Sequence, residues 1–282
     1  MSVTSFLKKI TERAQSVSSS GEISPPVLGS PQRLSQGIFQ FNFVTTQGAE
    51  FEVQATTDFK NWISIDKGIF SGETVEAVDR QVAKFNCRFY RVVTGDIMSV
   101  NVLGYVSLTL PPGFSLIANP LDSEINTVSG LFKNWPNGTK LNKFNTQLFR
   151  LGENTIQNGK WTDPWETLAP GEGAIFFNPT SDYKPHCFVG EVIQGKRSLP
   201  LPSGFLICSS MVPQRGTLQE DLGFPIAQGD VVHLFDPENQ KYSIHPFGAN
   251  GWEAGQPAIG LAESFWVAKT VADNWTREFF IG

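Results

Sequence analysis

Acidic side chains are the first residues in this sequence that could do chemistry. The carboxylates close to predicted turns are Asp163, Glu166, Glu172, Asp236 and Glu263. A glycosidase needs two carboxylates across a cleft, one to protonate the leaving group and one to attack or to activate water. Glu172 and Glu263 occupy equivalent places in two similar stretches, each beside a turn, so we expect both to accept N–H bonds from that turn. The sequence therefore predicts no catalytic pair.

Histidine and cysteine would be the ligands of a zinc ion. His186 and Cys187 are neighbours, and neighbouring side chains on a strand point to opposite faces, so we do not expect them to share an ion. His233 and His245 flank a predicted hairpin that could bring them together, but two histidines lack the further ligands that zinc uses. No Asp-x-Asp-x-Asp-Gly calcium loop and no Gly-x-Ser-x-Gly nucleophile motif occurs. We therefore predict no metal, no cofactor and no enzymatic activity.

Tryptophan near turns could bind sugars, because an exposed indole ring stacks on the apolar face of a ligand. Trp161 and Trp252 recur at a constant separation of 91 residues, which indicates a shared role in the core. Trp165 has Gln256 at the matching position, so its indole serves no role that the two stretches share. The sequence therefore predicts that Trp165 is exposed and offers a candidate stacking platform for a glycan.

Composition limits the partners of the chain. Its 282 residues carry 17% charged side chains and a net charge of −5. A nucleic-acid-binding protein normally presents a basic stripe to the phosphates, and the sequence shows none, so we expect no nucleic acid. No apolar run reaches the roughly 18 residues that a membrane span needs. Cys87, Cys187 and Cys208 are far apart and odd in number, which favours free buried thiols, although Cys187 and Cys208 could pair.

The N-terminal residues have the spacing of an amphipathic helix. Apolar side chains over residues 3–17 fall on one stripe, which predicts a short helix within residues 1–17. This helix either packs on its own protein or docks on a partner or a membrane surface. The partner-docking side chains would be Phe6, Leu7, Ile10 and Ala14. Residues 18–36 are rich in Ser, Pro and Gly and predict a flexible linker.

The first ten residues lack the apolar core and small-residue cleavage site of a secretory signal. We therefore expect the protein to stay in the cytoplasm, to leave by another route, or to begin after a removed signal.

From Gly37 the hydrophobic period changes to two. Apolar and polar residues alternate in two stretches, at Phe39, Phe41 and Phe43 and again at Phe51, Val53 and Ala55. Such alternation is typical of half-buried antiparallel strands. Turn residues separate these and further short apolar segments, so residues 37–96 are predicted to form a small β-sandwich.

Two motifs within this stretch resemble a known bacterial domain. Gln54-Ala55-Thr56-Thr57-Asp58-Phe59-Lys60-Asn61-Trp62 precedes Arg88-Phe89-Tyr90-Arg91. This pattern is similar to a small β-domain of bacterial surface and secreted proteins, common in Verrucomicrobia and Planctomycetes. That domain has a Ser/Thr-Thr-Asp-Leu-x-x-Trp turn and closes on an Arg-Phe-Tyr-Arg strand. Phe59 stands where the family usually has Leu.

An internal repeat organises the remainder of the chain. Leu110-Pro111-Pro112-Gly113-Phe114 recurs 91 residues later as Leu201-Pro202-Ser203-Gly204-Phe205. The same separation relates further pairs, namely Gly138 and Gly229, Phe144 and Phe235, Leu168 and Ile259, and Glu172 and Glu263. We therefore predict two copies of one all-β unit, copy 1 over residues 97–194 and copy 2 over residues 195–282. Copies of this length can each hold a core.

The repeat also resembles a family. Copy 1 contains Gly113-Phe114-Ser115-Leu116-Ile117-Ala118-Asn119-Pro120-Leu121 and later Leu168-Ala169-Pro170-Gly171-Glu172-Gly173-Ala174-Ile175-Phe176. These runs resemble a tandem bacterial β-repeat that opens Gly-Trp/Phe-Asn-Leu-Ile-Ser-x-Pro-Leu and closes Leu-x-Pro-Gly-Glu-Gly-Tyr/Phe-Trp/Phe-Val. The resemblance implies an extracellular, cell-wall or surface-layer-like protein without catalytic activity. Copy 2 departs from the pattern, with Leu261-Ala262-Glu263-Ser264 in place of Pro-Gly-Glu-Gly.

Together these observations predict an all-β fold. It consists of three small antiparallel sandwich-like or barrel-like domains, the last two an internal repeat, behind a short helix on a linker. We expect a non-catalytic structural or adhesive subunit of a bacterial surface layer, filament or large extracellular assembly, with protein partners in a homo- or hetero-oligomer. The alternatives are a structural component of a phage-tail-like particle or virion, and a glycan-binding module.

Overall fold

The computed structural model describes residues 23–34 and 37–282. Antiparallel strands dominate this part of the chain, and the predicted all-β fold class is confirmed. The predicted helix over residues 1–17, with its docking residues Phe6, Leu7, Ile10 and Ala14, lies outside the described residues. Within the ranges that are described, no helix is long and apolar enough to cross a membrane.

The described residues form two compact units. The first holds the described residues up to Tyr105 together with Val189–Glu191, and the second holds Val106–Phe188 and Val192–Gly282. The second unit thus contains nearly all of both predicted copies. The finer division into 37–96, 97–194 and 195–282 stays a prediction.

The first unit is built from short strands and one 3-10 turn, Val82–Lys84. Its strands are β1 (Val27–Leu34), β2 (Ile38–Val44), β3 (Glu50–Thr56), β4 (Ile63–Ile69), β5 (Val75–Asp79), β6 (Cys87–Thr94) and β7 (Ile97–Met98), and β8 (Leu103–Leu110) begins here. One sheet has the order β1-β2-β5. In the other, β4, β3 and β6 are neighbours and β7 pairs with β6.

Aromatic side chains join the two sheets of the first unit. Phe39, Phe41 and Phe43 point inward from β2 and are fully buried, as the alternation predicts. Phe39 stacks on Tyr90 of the other sheet with ring centroids 4.7 Å apart, and Phe43 meets Phe51 edge-on at 4.9 Å. The sheets therefore pack face to face as a small sandwich.

Strand β1 corrects the predicted linker. Residues 18–36 are rich in chain breakers, yet Val27–Leu34 form a strand that pairs with β2. The pairing of β1 with β2 shifts register between Gly29 and Gln32, which marks a β-bulge. Ser30 takes a left-handed φ of 51° in this bulge, so the turn-forming residues are accommodated within the strand. The prediction of a linker is therefore wrong over β1, where turn-forming residues serve a bulge instead.

Copy 1 continues from β8 through eight further strands and a single helical turn, α1 (Val128–Leu131). The strands are β9 (Gly113–Ile117), β10 (Lys140–Asn142), β11 (Phe144–Asn145), β12 (Arg150–Leu151), β13 (Asn154–Gln157), β14 (Lys160–Trp161), β15 (Ala174–Asn178) and β16 (Lys184–Glu191). Its main sheet has the order β14-β13-β10-β15-β9, and β11 pairs with β12.

Copy 2 supplies the last nine strands. They are β17 (Gly195–Leu201), β18 (Gly204–Ser209), β19 (Gly216–Thr217), β20 (Val231–Asp236), β21 (Lys241–Gly248), β22 (Gly251–Trp252), β23 (Ala258–Ile259), β24 (Ser264–Lys269) and β25 (Asp273–Phe279). The main sheet has the order β18-β24-β20-β21-β22, while β17 pairs with β25 and β19 with β23. Leu218, Leu222 and Phe224 are fully buried in the core of this copy.

The two main sheets match strand by strand and residue by residue. Leu141 lies opposite Phe176 in copy 1, and Val232 lies opposite Val267 at the equivalent place in copy 2. The hairpin turns also correspond. With the separation of 91 residues, β11 aligns with the last two residues of β20 and β12 with the first two residues of β21, on either side of the turn. The separation of 91 residues in the sequence thus describes one three-dimensional unit built twice.

The copies meet through reciprocal main-chain contacts, which we call the copy joint. The N–H of Ala118 donates to the carbonyl of Ala262 at 2.9 Å, and the N–H of Ser209 donates to the carbonyl of Gly171 at 3.0 Å. Ser209 is the equivalent of Ala118, and Ala262 is the equivalent of Gly171. Each contact therefore occurs twice with the partners exchanged, which is the geometry of a twofold, self-complementary interface.

Candidate functional site

The repeat supplies an internal comparison for assigning side chains. A residue type that occurs in both copies serves the shared fold, whereas one confined to a single copy is free to serve a ligand or partner. Glu172 accepts the N–H of Ala169 at 2.7 Å, and Glu263 accepts the N–H of Gly260 at 2.7 Å. The expectation that both glutamates accept turn N–H bonds is confirmed.

A polar network surrounds Asn154, and the equivalent of Asn154 in copy 2 is His245. The buried amide of Asn154 donates to Oε2 of Glu166 at 2.8 Å and to the carbonyl of Asp163 at 2.6 Å. Its Oδ1 accepts from the hydroxyl of Thr162 at 3.1 Å and from the N–H of Asp163 at 3.0 Å. Both polar atoms of the Asn154 side chain therefore have hydrogen-bond partners, and the bond to Glu166 fixes the position of that carboxylate.

Glu166 is half-buried, and burial raises the pKa of its carboxyl above the usual value. The hydrogen bond from Asn154 and the charge of Lys143 oppose this rise. A raised pKa on a surface turn is one mark of a functional carboxyl. In copy 2 the position of Glu166 is taken by Pro257, so the fold does not require it.

Lys143 ties a second carboxylate to this region. Its ammonium donates to Oε1 of Glu172 at 2.6 Å and to the carbonyl of Thr167 at 2.9 Å. Leu234 replaces Lys143 in copy 2, which leaves Glu263 without the ion pair that Glu172 makes. The sequence-predicted residues Asp163, Glu166 and Glu172 thus lie in one region of copy 1, whereas Asp236 and Glu263 belong to copy 2.

The tryptophans divide as the sequence predicts. Trp161 is buried and donates its indole N–H to the carbonyl of Phe132, and Trp252 is half-buried and donates to Gln219. Trp165 is 77% exposed, the largest exposed fraction among the large apolar side chains of the described residues. The exposure of Trp165 is confirmed, while its role in stacking stays a prediction.

A second exposed feature lies at the tip of the copy 1 hairpin, where β11 turns into β12. Leu148 and Phe149 are 60% and 65% exposed, and the ring of Phe149 lies 6.2 Å from that of Phe205 and 5.4 Å from that of Phe144. Phe144 in turn meets Trp266 at 5.0 Å. We call this the hairpin-tip surface, and it comprises Phe144, Leu148, Phe149, Leu151, Phe205 and Trp266.

The equivalent hairpin tip of copy 2 is polar and is hydrogen-bonded to the main chain of copy 1. Asp236 accepts the N–H groups of Glu238 and Asn239, which confirms the predicted turn. The amide of Gln240 both donates to the carbonyl of Phe114 and accepts from its N–H, each at 2.9 Å. Gln240 stands where copy 1 has Phe149. The apolar tip therefore breaks the internal symmetry in the same way as the Asn154 network does.

The candidate metal ligands take separate partners. His186 points into the core, stacks on Phe132 and has a pKa lowered to about 4 by burial, while Cys187 is half-buried beside Ser107. His245 contacts the carbonyl of Gly255 and the hydroxyl of Ser243. Among the described residues, no group of three His, Cys, Asp or Glu side chains could hold a metal. Cys187 and Cys208 are free thiols, the first half-buried and the second buried, and Cys87 is half-buried.

The structure contains two buried ion pairs that the sequence did not predict. Lys269 and Asp230 form a pair with no exposed surface on either side chain, directly between β24 and the start of β20. In the first unit Arg88 donates to Asp79 at 2.7 Å, and the hydroxyl of Tyr90 donates to the same oxygen at 2.7 Å. The partners lie 9 to 39 residues apart along the chain, so no local motif could have signalled them.

Comparisons with known proteins were made by family model, by sequence and by structure. No family model and no curated protein matches the chain. Among solved structures it is similar to the crystal structure of chicken CNTN1 FN1-FN3 domains, with 10% sequence identity and a TM-score of 0.24. The match covers 93% of this chain and 95% of that chain. A likeness at this level does not extend to function or partners.

Proposed function

We propose that the protein is a non-catalytic structural or adhesive subunit that associates with further copies of itself. The copy joint is the observation that carries this proposal. The unit pairs with its own kind inside the chain through two exchanged main-chain bonds, Ala118 to Ala262 and Ser209 to Gly171. A surface that is self-complementary in this way suits a protein that works by assembly.

The hairpin-tip surface is the proposed contact to a second copy of the chain. Soluble monomers rarely expose contiguous apolar side chains without a function. Here Leu148, Phe149 and Phe205 are 60%, 65% and 41% exposed, and the rings of Phe149 and Phe205 lie 6.2 Å apart. The equivalent tip in copy 2 is polar, and its Gln240 is hydrogen-bonded to the main chain of Phe114. The fold of the unit therefore does not require an apolar side chain at the tip.

The engagement of the carboxylates supports a non-catalytic role. Glu172 is held by Lys143 and the turn N–H of Ala169, and Glu263 by the N–H of Gly260. Asp236 accepts three bonds within its own turn, two of them from Asn239. Side chains committed to turns and ion pairs are poor candidates for a general acid or base.

We propose that the assembly is a bacterial surface layer or filament, as the resemblance of the repeat implies, or the wall of a phage-tail-like particle. The predicted helix within residues 1–17 would add a second docking element. Its role is tested by removing residues 1–22, which spares β1. Incorporation into the assembly should then fall, and unchanged incorporation would exclude the helix as a docking element.

Negative-stain microscopy tests the proposed contact. The wild-type chain should form a lattice, filament or particle, and the double variant Leu148→Asn, Phe149→Gln should reduce its formation, because these residues give copy 1 the polar tip of copy 2. Val271→Asn is the matched control, since Val271 is 56% exposed outside the hairpin-tip surface. Particles that form equally well from the double variant would rule out this surface.

A second candidate function is glycan binding. The exposure of Trp165 at 77% favours it, because an indole ring held at a surface turn is a typical platform for a sugar. The two candidates are compatible, since adhesion can use a protein contact and a glycan contact on different surfaces.

A further inference from the structure

We propose that copy 1, and not copy 2, binds a neutral pyranose saccharide, with Trp165 as the stacking platform and Asp163 and Glu166 as hydrogen-bond acceptors. This inference rests on the second candidate function and assigns its site. The site occupies the turn between β14 and β15, within residues 161–167 of the second compact unit.

The main chain that carries Trp165 is held by hydrogen bonds. Oδ1 of Asp163 accepts the N–H of Trp165 and the N–H of Glu166, both at 3.2 Å. The hydroxyl of Ser129 donates to the carbonyl of Pro164 at 2.7 Å and ties the turn to the neighbouring α1. A turn whose main chain is already ordered loses little further conformational freedom when a sugar binds to it, which favours binding.

The two carboxylates still have acceptor atoms to offer. Asn154 occupies Oε2 of Glu166, and the turn N–H groups occupy Oδ1 of Asp163. Within the described part of the chain, no hydrogen bond uses Oε1 of Glu166 or Oδ2 of Asp163. Sugar hydroxyls are donors, and hydrogen bonds to ionised acceptors are stronger than neutral ones. Asn154 is a positioning residue, since its amide donates both to Glu166 and to the carbonyl of Asp163 and offers no further donor to a sugar.

Charge selects the class of saccharide. Asp163 and Glu166 form no ion pair within the described ranges, whereas Lys143 is already paired with Glu172. Two carboxylates at the site repel uronic acids and sulfated sugars. A neutral pyranoside presents an apolar face to the indole and hydroxyls to the carboxylates without this repulsion.

Copy 2 lacks the residues that form this site in copy 1. The separation of 91 residues places Ala254, Gln256 and Pro257 where copy 1 has Asp163, Trp165 and Glu166. The platform and both acceptors are therefore missing together, although the strands on either side match in register. We infer one saccharide site per chain.

Isothermal titration of the full chain with cellohexaose, maltohexaose, xylohexaose and N-acetylchitohexaose tests the site, with oligogalacturonate as the acidic probe. At least one neutral oligomer should bind at one per chain, and Trp165→Ala should weaken it more than about tenfold, which corresponds to about 1.4 kcal/mol. Glu166→Gln should also weaken binding, because its one amide oxygen must accept from Asn154, which leaves an NH2 donor in place of the acceptor that faces the sugar. Phe280→Ala is the matched control, since Phe280 is 69% exposed in copy 2 and should leave the affinity unchanged.

The possible failures are distinct. If none of the neutral oligomers binds, both the site and the glycan-binding function are refuted. If an oligomer binds equally to Trp165→Ala, glycan binding stands and the assigned site is wrong. Equal affinity for oligogalacturonate would overturn the neutral class, and two sugars per chain would overturn the restriction to copy 1.

Discussion

Glu172 and Glu263 hold the same place in the two copies and differ in their electrostatic surroundings. Glu172 has Lys143 at 2.6 Å. Burial raises the pKa of Glu263, and the N–H of Gly260 opposes this only in part. Lys143 in copy 1 is replaced by Leu234 in copy 2, so Glu263 lacks the ion pair that Glu172 makes. The shared role in the turn was therefore predictable from the repeat, but the ion pair of Glu172 and the burial of Glu263 were not.

We expect Glu263→Gln to stabilise the protein at pH 7. Because the folded state raises the pKa of Glu263, it binds the proton more tightly than the unfolded state, and ionisation at neutral pH costs stability. The gain in stability should shrink as the pH falls below about 4.5, the ordinary pKa of the group, because the carboxyl of the wild-type protein is then mostly protonated in both the folded and the unfolded state. Urea unfolding at both pH values measures it.

The matched variant Glu172→Gln should change stability in the opposite direction. It removes a partly exposed ion pair to Lys143, a loss of about 0.5–1 kcal/mol at pH 7. A loss of stability in Glu263→Gln at pH 7 would show that this carboxyl is not penalised by burial.

The buried pair of Asp230 and Lys269 should be costly to break. Burial opposes ionisation of Asp230, but the bonds from Lys269, Thr270 and Ala227 keep its pKa below the usual value. Lys269→Met leaves that charge unpaired, so we expect a loss of about 3–5 kcal/mol in the free energy of unfolding. Chemical denaturation measures this loss.

Copy 1 provides the control for that pair. It has Thr139 and Asn178 at the equivalent positions, and the amide of Asn178 donates to main-chain carbonyls, including that of Asp182 at 2.9 Å. The double variant Asp230→Thr, Lys269→Asn should therefore be more stable than Lys269→Met, since it buries no unpaired charge. If Lys269→Met lowers the free energy of unfolding by less than about 1 kcal/mol, the ion pair with Lys269 is not needed to stabilise the buried charge of Asp230.

At the scale of elements, alternation and turn chemistry were readable from the sequence. The inward faces of β2 and β3 and the turn at Asp236 follow directly from local patterns. The strand β1 did not follow, because Gly29, Ser30 and Pro31 look like a linker unless the partner strand is known. Pairing with β2 turns the same residues into a bulge.

Close approach at the copy joint requires Gly173. A Cβ at this position would lie 2.5 Å from Cγ2 of Ile207 and 2.7 Å from Cβ of Ser264, both side chains of copy 2. Gly173→Ala should therefore destabilise the chain by about 1–3 kcal/mol through overpacking of a buried contact. Thermal unfolding measures the effect.

Gly152→Ala is the matched control in the same copy. The nearest atom to its Cβ, the carbonyl oxygen of Lys143, would be 3.7 Å away, an ordinary contact. This change should stay within about 0.5 kcal/mol of the wild type. Equal effects of the two substitutions would mean that the copies are not packed as tightly as the joint indicates.

At the scale of the molecule, the repeat was visible in the sequence and the joint was not. The separation of 91 residues identifies which positions correspond, but it does not say that Ala118 meets Ala262. The exchanged contacts arise only when both copies are folded and placed face to face. The same reasoning explains why the hairpin-tip surface was missed, since it combines Phe149 of copy 1 with Phe205 of copy 2.

Self-association is the claim on which the proposed function depends, and light scattering over a concentration series tests it most directly. The chain has a mass of 31.1 kDa. We predict that the weight-average mass of the full chain rises well above this value as concentration increases, and that the rise is smaller for the double variant Leu148→Asn, Phe149→Gln. A mass that stays at 31.1 kDa at every concentration would contradict the proposal that the protein works by assembling with itself.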